Sequence, residues 1–177
     1  MVKISLFLVL LINSFLVAQN ENPNNIQTNN VIKDRESGMP MLIGLCNREA
    51  FKDSSFSWWW MSEYDLYNVD STKMDSIKNN LKDVNMKLIM GTWCSDSRAQ
   101  VPRFFKILDA VNYPSDSVAI ICVDRDLKSD IDELNDLKIE RVPTIIFYKY
   151  GKELGRIVES PKDTLEKDMI KILETHS

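Results

Sequence analysis

Residues 87–105 carry the sequence Lys-Leu-Ile-Met-Gly-Thr-Trp-Cys-Ser-Asp-Ser-Arg-Ala-Gln-Val-Pro-Arg-Phe-Phe. The apolar residues 88–90 predict a short buried strand, which Gly91 and Thr92 end. Directly after Cys94, apolar residues recur at helical spacing. A lone thiol is therefore expected where a strand ends and a helix begins. Free N–H groups and a partial positive charge at a helix N-terminus favour a thiolate, so Cys94 is a candidate reactive cysteine.

The composition is that of a soluble globular protein. The chain has 177 residues, of which 44% are hydrophobic and 27% are charged. These values suit one domain with its own core plus appendages. The formal net charge of −4 argues against a nucleic-acid partner. Three cysteines are too few for a disulfide framework, so the fold is expected to depend on its core.

The first 18 residues have the pattern of a secretory signal peptide. Lys3 forms a short positive region, residues 4–17 are mostly apolar, and Ala18 ends a cleavage-like site. The alternative is a membrane anchor, but a helix needs about 20 apolar residues to span a bilayer. We therefore expect cleavage after Ala18, an exported protein that is periplasmic or secreted, and no stable membrane span after cleavage.

The region before the main domain divides into two parts. Residues 19–38 are polar and rich in Asn, which predicts a disordered leader. Residues 39–84 are rich in aromatic side chains and are expected to form a helical extension that packs on the main domain. An aromatic groove for an extended peptide is the alternative. The three consecutive tryptophans at 58–60 cannot all face inward on one helix, so at least one should lie near the surface.

The remaining residues, 85–177, predict an α/β domain. After the helix that begins near Cys94, a second apolar run at 117–123 predicts a buried parallel strand. A short helix at 130–137, a strand at 142–148 and a half-exposed edge strand at 153–159 follow, and a final helix begins at Pro161. The order is βαβ, a helix, then ββα around a central mixed sheet, with an antiparallel hairpin at Gly151.

This element order, with Trp93-Cys94 at the first strand-to-helix junction, resembles the thioredoxin superfamily and in particular its exported bacterial members. The other motifs are Pro102, eight residues after Cys94, then Val142-Pro143-Thr144, and Gly151, eight residues after Pro143. The resemblance implies a thioredoxin-like fold, a kink at Pro102 and a cis proline at Pro143 beside the cysteine. It also implies a site made of two sets of residues: Cys94 and Ser97 as catalytic; Trp93, Val142, Pro143 and Thr144 as substrate-binding.

The sequence also departs from the family pattern. The usual Cys-x-x-Cys pair is here Cys94-Ser95-Asp96-Ser97, a monothiol site in which a hydroxyl replaces the resolving thiol. Ser97 could still hydrogen-bond to the Cys94 thiolate. Leu88 occupies the position where many thioredoxins carry a buried acid, and Glu159 stands where many have glycine.

The other potential catalytic residues are few. Cys122 lies inside an apolar strand and is expected to be buried and inert. Cys46 is either a structural residue or a distant resolving thiol, which would require Cα atoms within about 7 Å of each other. The single histidine, His176, lies in the C-terminal tail, so neither Cys–His catalysis nor a histidine metal site has a candidate. No cofactor is expected.

Two functions follow from these residues. The first is thiol–disulfide exchange outside the cytoplasm, of reductase or isomerase type, through Cys94 and with an external thiol to resolve the mixed disulfide. Its partners would be thiols and disulfides of proteins or small molecules. The alternative is a non-redox module with the same fold that binds a protein or peptide. Peroxidase chemistry is less favoured, because the Pro and Thr spacing around peroxidatic cysteines is missing. The substrate, the redox direction and the oligomeric state stay open.

Overall fold

The computed structural model describes residues 28–114 and 117–175, so the predicted signal peptide and His176 lie outside the described residues. Short 3₁₀ helices occur at Arg48–Lys52, Ser71–Lys73 and Asp132–Leu137. The strands and α-helices are β1 (Asn30–Lys33), β2 (Pro40–Cys46), α1 (Ser54–Leu66), α2 (Met74–Asn80), β3 (Val84–Met90), α3 (Ser95–Ala110), β4 (Val118–Cys122), β5 (Thr144–Lys149), β6 (Lys152–Val158) and α4 (Leu165–Glu174).

The strands form one mixed sheet in the order β1-β2-β4-β3-β5-β6. β3 and β4 are parallel, with Leu88 paired to Ile120, and every other neighbouring pair is antiparallel. The predicted parallel βαβ unit is therefore confirmed. So is the antiparallel hairpin, in which Gly151 has a φ of 78°. β6 lies at one edge of the sheet, as its alternating sequence predicts.

The helices cover one face of this sheet. Leu88 and Met90 of β3 join a core cluster to which α1, α2, α3 and α4 all contribute buried side chains. Ile89, between them, points to the other face and joins a smaller cluster under the 3₁₀ helix at Asp132–Leu137. The helix predicted at 130–137 is thus a shorter 3₁₀ helix. Of the described residues, none belongs to a helix long and apolar enough to cross a membrane.

The prediction of a disordered leader at 19–38 is wrong from residue 30 onward. Residues 30–33 form β1, an edge strand in which Val31 pairs with Leu42 of β2. Asp34 then opens a tight turn, since its carboxylate accepts hydrogen bonds from the Glu36 and Ser37 amides. A polar segment without a core of its own is ordered here because its backbone pairs with a neighbouring strand.

The prediction of a helical extension at 39–84 is correct for α1 and α2 but wrong at its start. β2 is a strand of the main sheet, antiparallel to β4, with Gly44 opposite Cys122. The packing of aromatic side chains onto the main domain is confirmed by Phe51, Trp59 and Trp60, which are buried. Trp58 is the tryptophan that remains at the surface, 63% exposed.

Candidate active site at Cys94

Cys94 lies at the junction that the sequence predicts. It precedes the first residue of α3 with extended backbone angles (φ −83°, ψ 129°), and its carbonyl accepts the first helical hydrogen bond from the Arg98 amide at 3.1 Å. The amides of the first helical turn have no partner within the helix and point toward the thiol end. Cys94 is half-buried, so part of this residue is open to solvent at the carboxyl end of the central strand β3.

The proline loop lies directly beside this thiol. The Val142–Pro143 peptide bond is cis, as the resemblance implies, and the Cys94 thiol donates a hydrogen bond to the Val142 carbonyl at 3.3 Å. The side chains of Val142, Pro143 and Thr144 are all buried, and the Thr144 hydroxyl donates inward to the Arg141 carbonyl at 2.7 Å. The loop therefore presents its backbone, more than its side chains, to a partner at Cys94.

Trp93 covers the loop that enters the site. Its indole N–H donates to the Val123 carbonyl at 2.9 Å, which fixes the ring over the end of β4. A Cβ atom at Gly91 would lie only 2.6 Å from the indole, so the ring can take this position only because residue 91 is glycine. The structure thus brings Trp93 together with Cys94 and the proline loop.

Ser97 has a different contact from the one that the sequence suggested. Its side chain is buried, and its hydroxyl oxygen accepts a hydrogen bond from the Gly91 amide at 3.3 Å. The Cys94 thiol bonds to Val142 instead. Ser97 therefore braces the loop from within, and it is not a partner of the thiol in this conformation. Leu88 is fully buried, which places an apolar side chain where many thioredoxins have an acid.

The other two thiols lie close together and away from Cys94. Cys46 and Cys122 are buried on the helix-covered face of the sheet, whereas Cys94 packs against the cluster on the opposite face. A hydrogen bond to Cys46, together with complete burial, raises the pKa of the Cys122 thiol well above its ordinary value. Cys122 is thus buried, as expected. The hypothesis of Cys46 as a distant resolving thiol is wrong for this conformation.

Several residues near the site carry no signal in the sequence. Asp34 accepts two hydrogen bonds from the Arg125 guanidinium, at 3.0 and 2.8 Å, and is only 3% exposed. The Arg125 guanidinium lies 5.1 Å from the centre of the Trp93 ring. The hydrogen bonds from Arg125, then that from Ser37, hold the pKa of Asp34 well below its usual range. Because Asp34 and Arg125 are 91 residues apart, no local pattern links them.

Two further contacts tie the site to neighbouring elements. The Thr92 hydroxyl accepts a hydrogen bond from the Leu42 amide of β2 at 3.1 Å. The Arg98 Nε donates to the Thr92 carbonyl at 2.6 Å, and its guanidinium lies 5.9 Å from the centre of the Trp58 ring. Among residues 28–114 and 117–175, no group of three or more His, Cys, Asp or Glu side chains is placed to hold a metal ion.

Fold and site together define a thioredoxin-fold protein with one accessible thiol at a helix N-terminus. A sequence model of the family described as Thioredoxin matches residues 68–171. Thioredoxin H2 of Arabidopsis thaliana is 31% identical over 102 residues, which cover 53% of this chain and 68% of that protein. The mitochondrial Thioredoxin O of Oryza sativa subsp. japonica is 36% identical over 77 residues, which cover 44% of this chain and 42% of that protein.

The chain therefore belongs to the thioredoxin family. A crystal structure of a protein of unknown function from Pseudomonas aeruginosa covers 76% of this chain and 95% of its own, with a TM-score of 0.55 and 15% identity. That likeness shows the fold, and its coverage includes part of the region before the family match. Family membership supports a thiol–disulfide redox role in general terms.

Proposed function

We propose that this protein carries out thiol–disulfide exchange outside the cytoplasm through the single thiol of Cys94. The observation that carries the proposal is the position of this sulfur. It is accessible at the N-terminus of α3 and lies 3.3 Å from the carbonyl of the cis-proline loop. The free N–H groups and the partial positive charge of a helix N-terminus favour thiolates in general, and a thiolate is the nucleophile in disulfide exchange.

The exchange has two steps. The Cys94 thiolate attacks one sulfur of a substrate disulfide; a new S–S bond forms as the old one breaks, and the other substrate sulfur leaves as a thiolate. An external thiolate then attacks the mixed disulfide and releases Cys94. This second step needs an outside thiol, because Ser97 offers only a buried hydroxyl and Cys46 and Cys122 lie on the other face of the sheet.

The proline loop can hold a substrate peptide beside the thiol. As a neutral thiol, Cys94 donates its proton to the Val142 carbonyl. A thiolate has no proton to donate, so deprotonation frees this carbonyl to accept an N–H group from an extended peptide. Strand-like pairing of this kind would hold a substrate cysteine beside the nucleophile. A single thiol with such a loop suits isomerisation and mixed-disulfide exchange better than net reduction by a dithiol.

The first prediction concerns Cys94 itself. With excess glutathione present, Cys94→Ala should lower the rate of hydroxyethyl disulfide reduction to that of the uncatalysed reaction. Cys46→Ala is the matched control and should retain the wild-type rate, since that thiol is buried. Intact-mass measurement after incubation with oxidised glutathione should show one adduct on the wild type and none on Cys94→Ala. Activity that survives in Cys94→Ala would overturn the proposal.

The cellular location is part of the same proposal. It is supported by the pattern of residues 1–18, with a charged start, an apolar segment and a small residue at Ala18. Expression of the full chain in a secreting host should yield a protein outside the cytoplasm, with a mass that corresponds to a chain starting at Gln19. An uncleaved protein in the cytoplasm would contradict it.

A non-redox binding module with the same fold is the second candidate. The observation in its favour is Ser97, which occupies the place of the second thiol and supports the loop structurally. The rate of Cys94 alkylation at neutral pH separates the two functions. Exchange requires rapid alkylation, whereas a binding module is compatible with slow alkylation.

A further inference from the structure

The helix α1 brings a second surface to the thiol end of the molecule. Arg98 lies against Trp58, Arg103 pairs with Glu63 at 2.6 Å, and Lys106 donates to the Asp65 carbonyl at 3.0 Å. Trp58, in the second turn of α1, therefore lies beside the first turn of α3, the helix that carries Cys94 at its N-terminus.

Two large apolar residues are exposed near this end of α1. Trp58 and Met61, three residues apart and hence on the same side of the helix, are 63% and 60% exposed. Their neighbours Phe56, Trp59 and Trp60 already anchor the helix in the core. Trp58 and Met61 are thus not needed to attach α1, and Trp, Met and Arg are residue types that are enriched in protein interfaces.

Arg98 joins this surface to the active-site loop. Its Nε is bound to the Thr92 carbonyl, and its guanidinium faces the Trp58 ring. None of the ion pairs formed within the described parts of the chain includes Arg98. Its terminal N–H groups therefore offer a cation, beside an aromatic ring, to a carbonyl or carboxylate oxygen of a partner.

We propose that Trp58, Met61 and Arg98 form a docking surface for an extended segment of a client protein whose cysteine reacts with Cys94. This proposal rests on the proposed function and names its substrate class as polypeptide rather than small-molecule disulfides. Arg98 is one helical turn from Cys94, and the Trp58 ring lies beyond it, which places the ring on the order of 10 Å from the thiol. An extended chain covers that span in about three residues. The client therefore carries an apolar side chain about two to four residues from its cysteine, on the face of the extended segment that the cysteine also occupies, a distance that a small disulfide cannot bridge.

The test compares a peptide with a small disulfide on the full chain. The peptide carries one cysteine as a mixed disulfide with a small thiol, with Leu at the second and fourth residues on each side, which share a face with the cysteine in an extended chain; a second peptide has Ser at those positions. Trp58→Ser should raise the KM for the Leu peptide roughly five- to tenfold and leave kcat unchanged. The same variant should leave the KM and kcat for the Ser peptide and for hydroxyethyl disulfide unchanged. Trp58→Phe, which keeps an aromatic ring, should bring the KM for the Leu peptide most of the way back to the wild-type value.

Leu66→Ser is the matched control, since Leu66 is 74% exposed on the same helix but at its far end. It should behave as wild type with every substrate. A Trp58→Ser variant that exchanges the Leu peptide as well as Leu66→Ser does would overturn the docking surface while leaving the redox function intact.

A binding experiment tests the docking surface independently of the redox function. A fluorescent Leu peptide with Ser in place of Cys should bind wild type more tightly than Trp58→Ser. If it does so while no exchange is detected, the surface stands and the redox function fails; equal binding overturns the surface.

Discussion

Glu159 shows how a single residue can strain the support of the proline loop. Its φ of 59° lies in the left-handed region, which is unfavourable by roughly 1 kcal/mol or more for a residue with a Cβ atom. The strained backbone has a function, since the Glu159 amide donates to the Pro143 carbonyl at 2.7 Å and holds the loop from behind. The Glu159 side chain also pairs with Arg141 at 2.6 Å, but this pair is exposed and screened by salt.

Glu159→Gly is expected to stabilise the protein. Relief of the left-handed strain should raise the free energy of unfolding by about 0.5–1 kcal/mol, less than the full strain because glycine makes the unfolded chain more flexible. Urea unfolding followed by circular dichroism measures the change. Glu159→Gln, which keeps the Cβ atom and loses only the ion pair, should remain close to wild type. The explanation fails if the glycine variant is less stable than the glutamine variant.

The β1–β2 hairpin is the element that connects the N-terminal region to the site. Its turn carries the buried Asp34 carboxylate, which holds Arg125 over the Trp93 ring. The low pKa of Asp34 in the folded state makes this contact sensitive to acid. A carboxyl whose pKa is depressed by folding contributes stability above its unfolded pKa, about 3.9, and that contribution is lost as the pH falls toward the folded value.

The prediction at this scale concerns acid unfolding. The free energy of unfolding of the wild type should fall more steeply below pH 4 than that of Asp34→Asn, which has no carboxyl to protonate. Arg125→Met should show the same shallower profile, since the partner that lowers the pKa is gone, and the double variant should add nothing further. Urea titrations between pH 3 and 7 test this expectation. Parallel curves for wild type and Asp34→Asn would contradict it.

The hairpin also shows where inference from sequence ends. The strand at 88–90 and the Gly151 hairpin are marked by local residues, so they follow from periodicity and turn chemistry, whereas the cis Pro143 follows from the family resemblance. β1 has no such mark, because its residues are polar or exposed and its order comes from pairing with Leu42 and its neighbours. The contacts of Ser97 with Gly91 and of Asp34 with Arg125 depend on side-chain positions that spacing does not determine.

On the scale of the whole molecule, the N-terminal extension and the family domain share one core. Trp60 of α1 stacks on Phe51 with 4.3 Å between the ring centroids, and its ring centroid lies 5.6 Å from that of Phe105 in α3. Polar contacts reinforce this packing: Arg48 pairs with Asp109 at 2.7 Å, and the Tyr67 hydroxyl donates to the buried Glu166 of α4 at 2.9 Å. We therefore expect the two regions to unfold together.

Trp60→Ala should destabilise the entire chain rather than α1 alone. Loss of a buried Trp side chain typically lowers the free energy of unfolding by about 3–5 kcal/mol. Far-ultraviolet circular dichroism and tyrosine absorbance should report a single, coincident transition at lower urea concentration. Trp58→Ala, an exposed neighbour, should change stability by no more than about 0.5 kcal/mol. Separate transitions for the two probes would show that the extension unfolds independently.

Because Cys122 is buried, the rate of its chemical modification reports how often the folded protein opens. Cys122 has no exposed surface and lies on β4, in the core between the sheet and the helices, so a reagent reaches its sulfur only when this core opens. Cys94 reacts with the same reagent in the closed state and serves as an internal reference within each molecule. The delay between the first and the last modification of one chain therefore records how long the core stays closed.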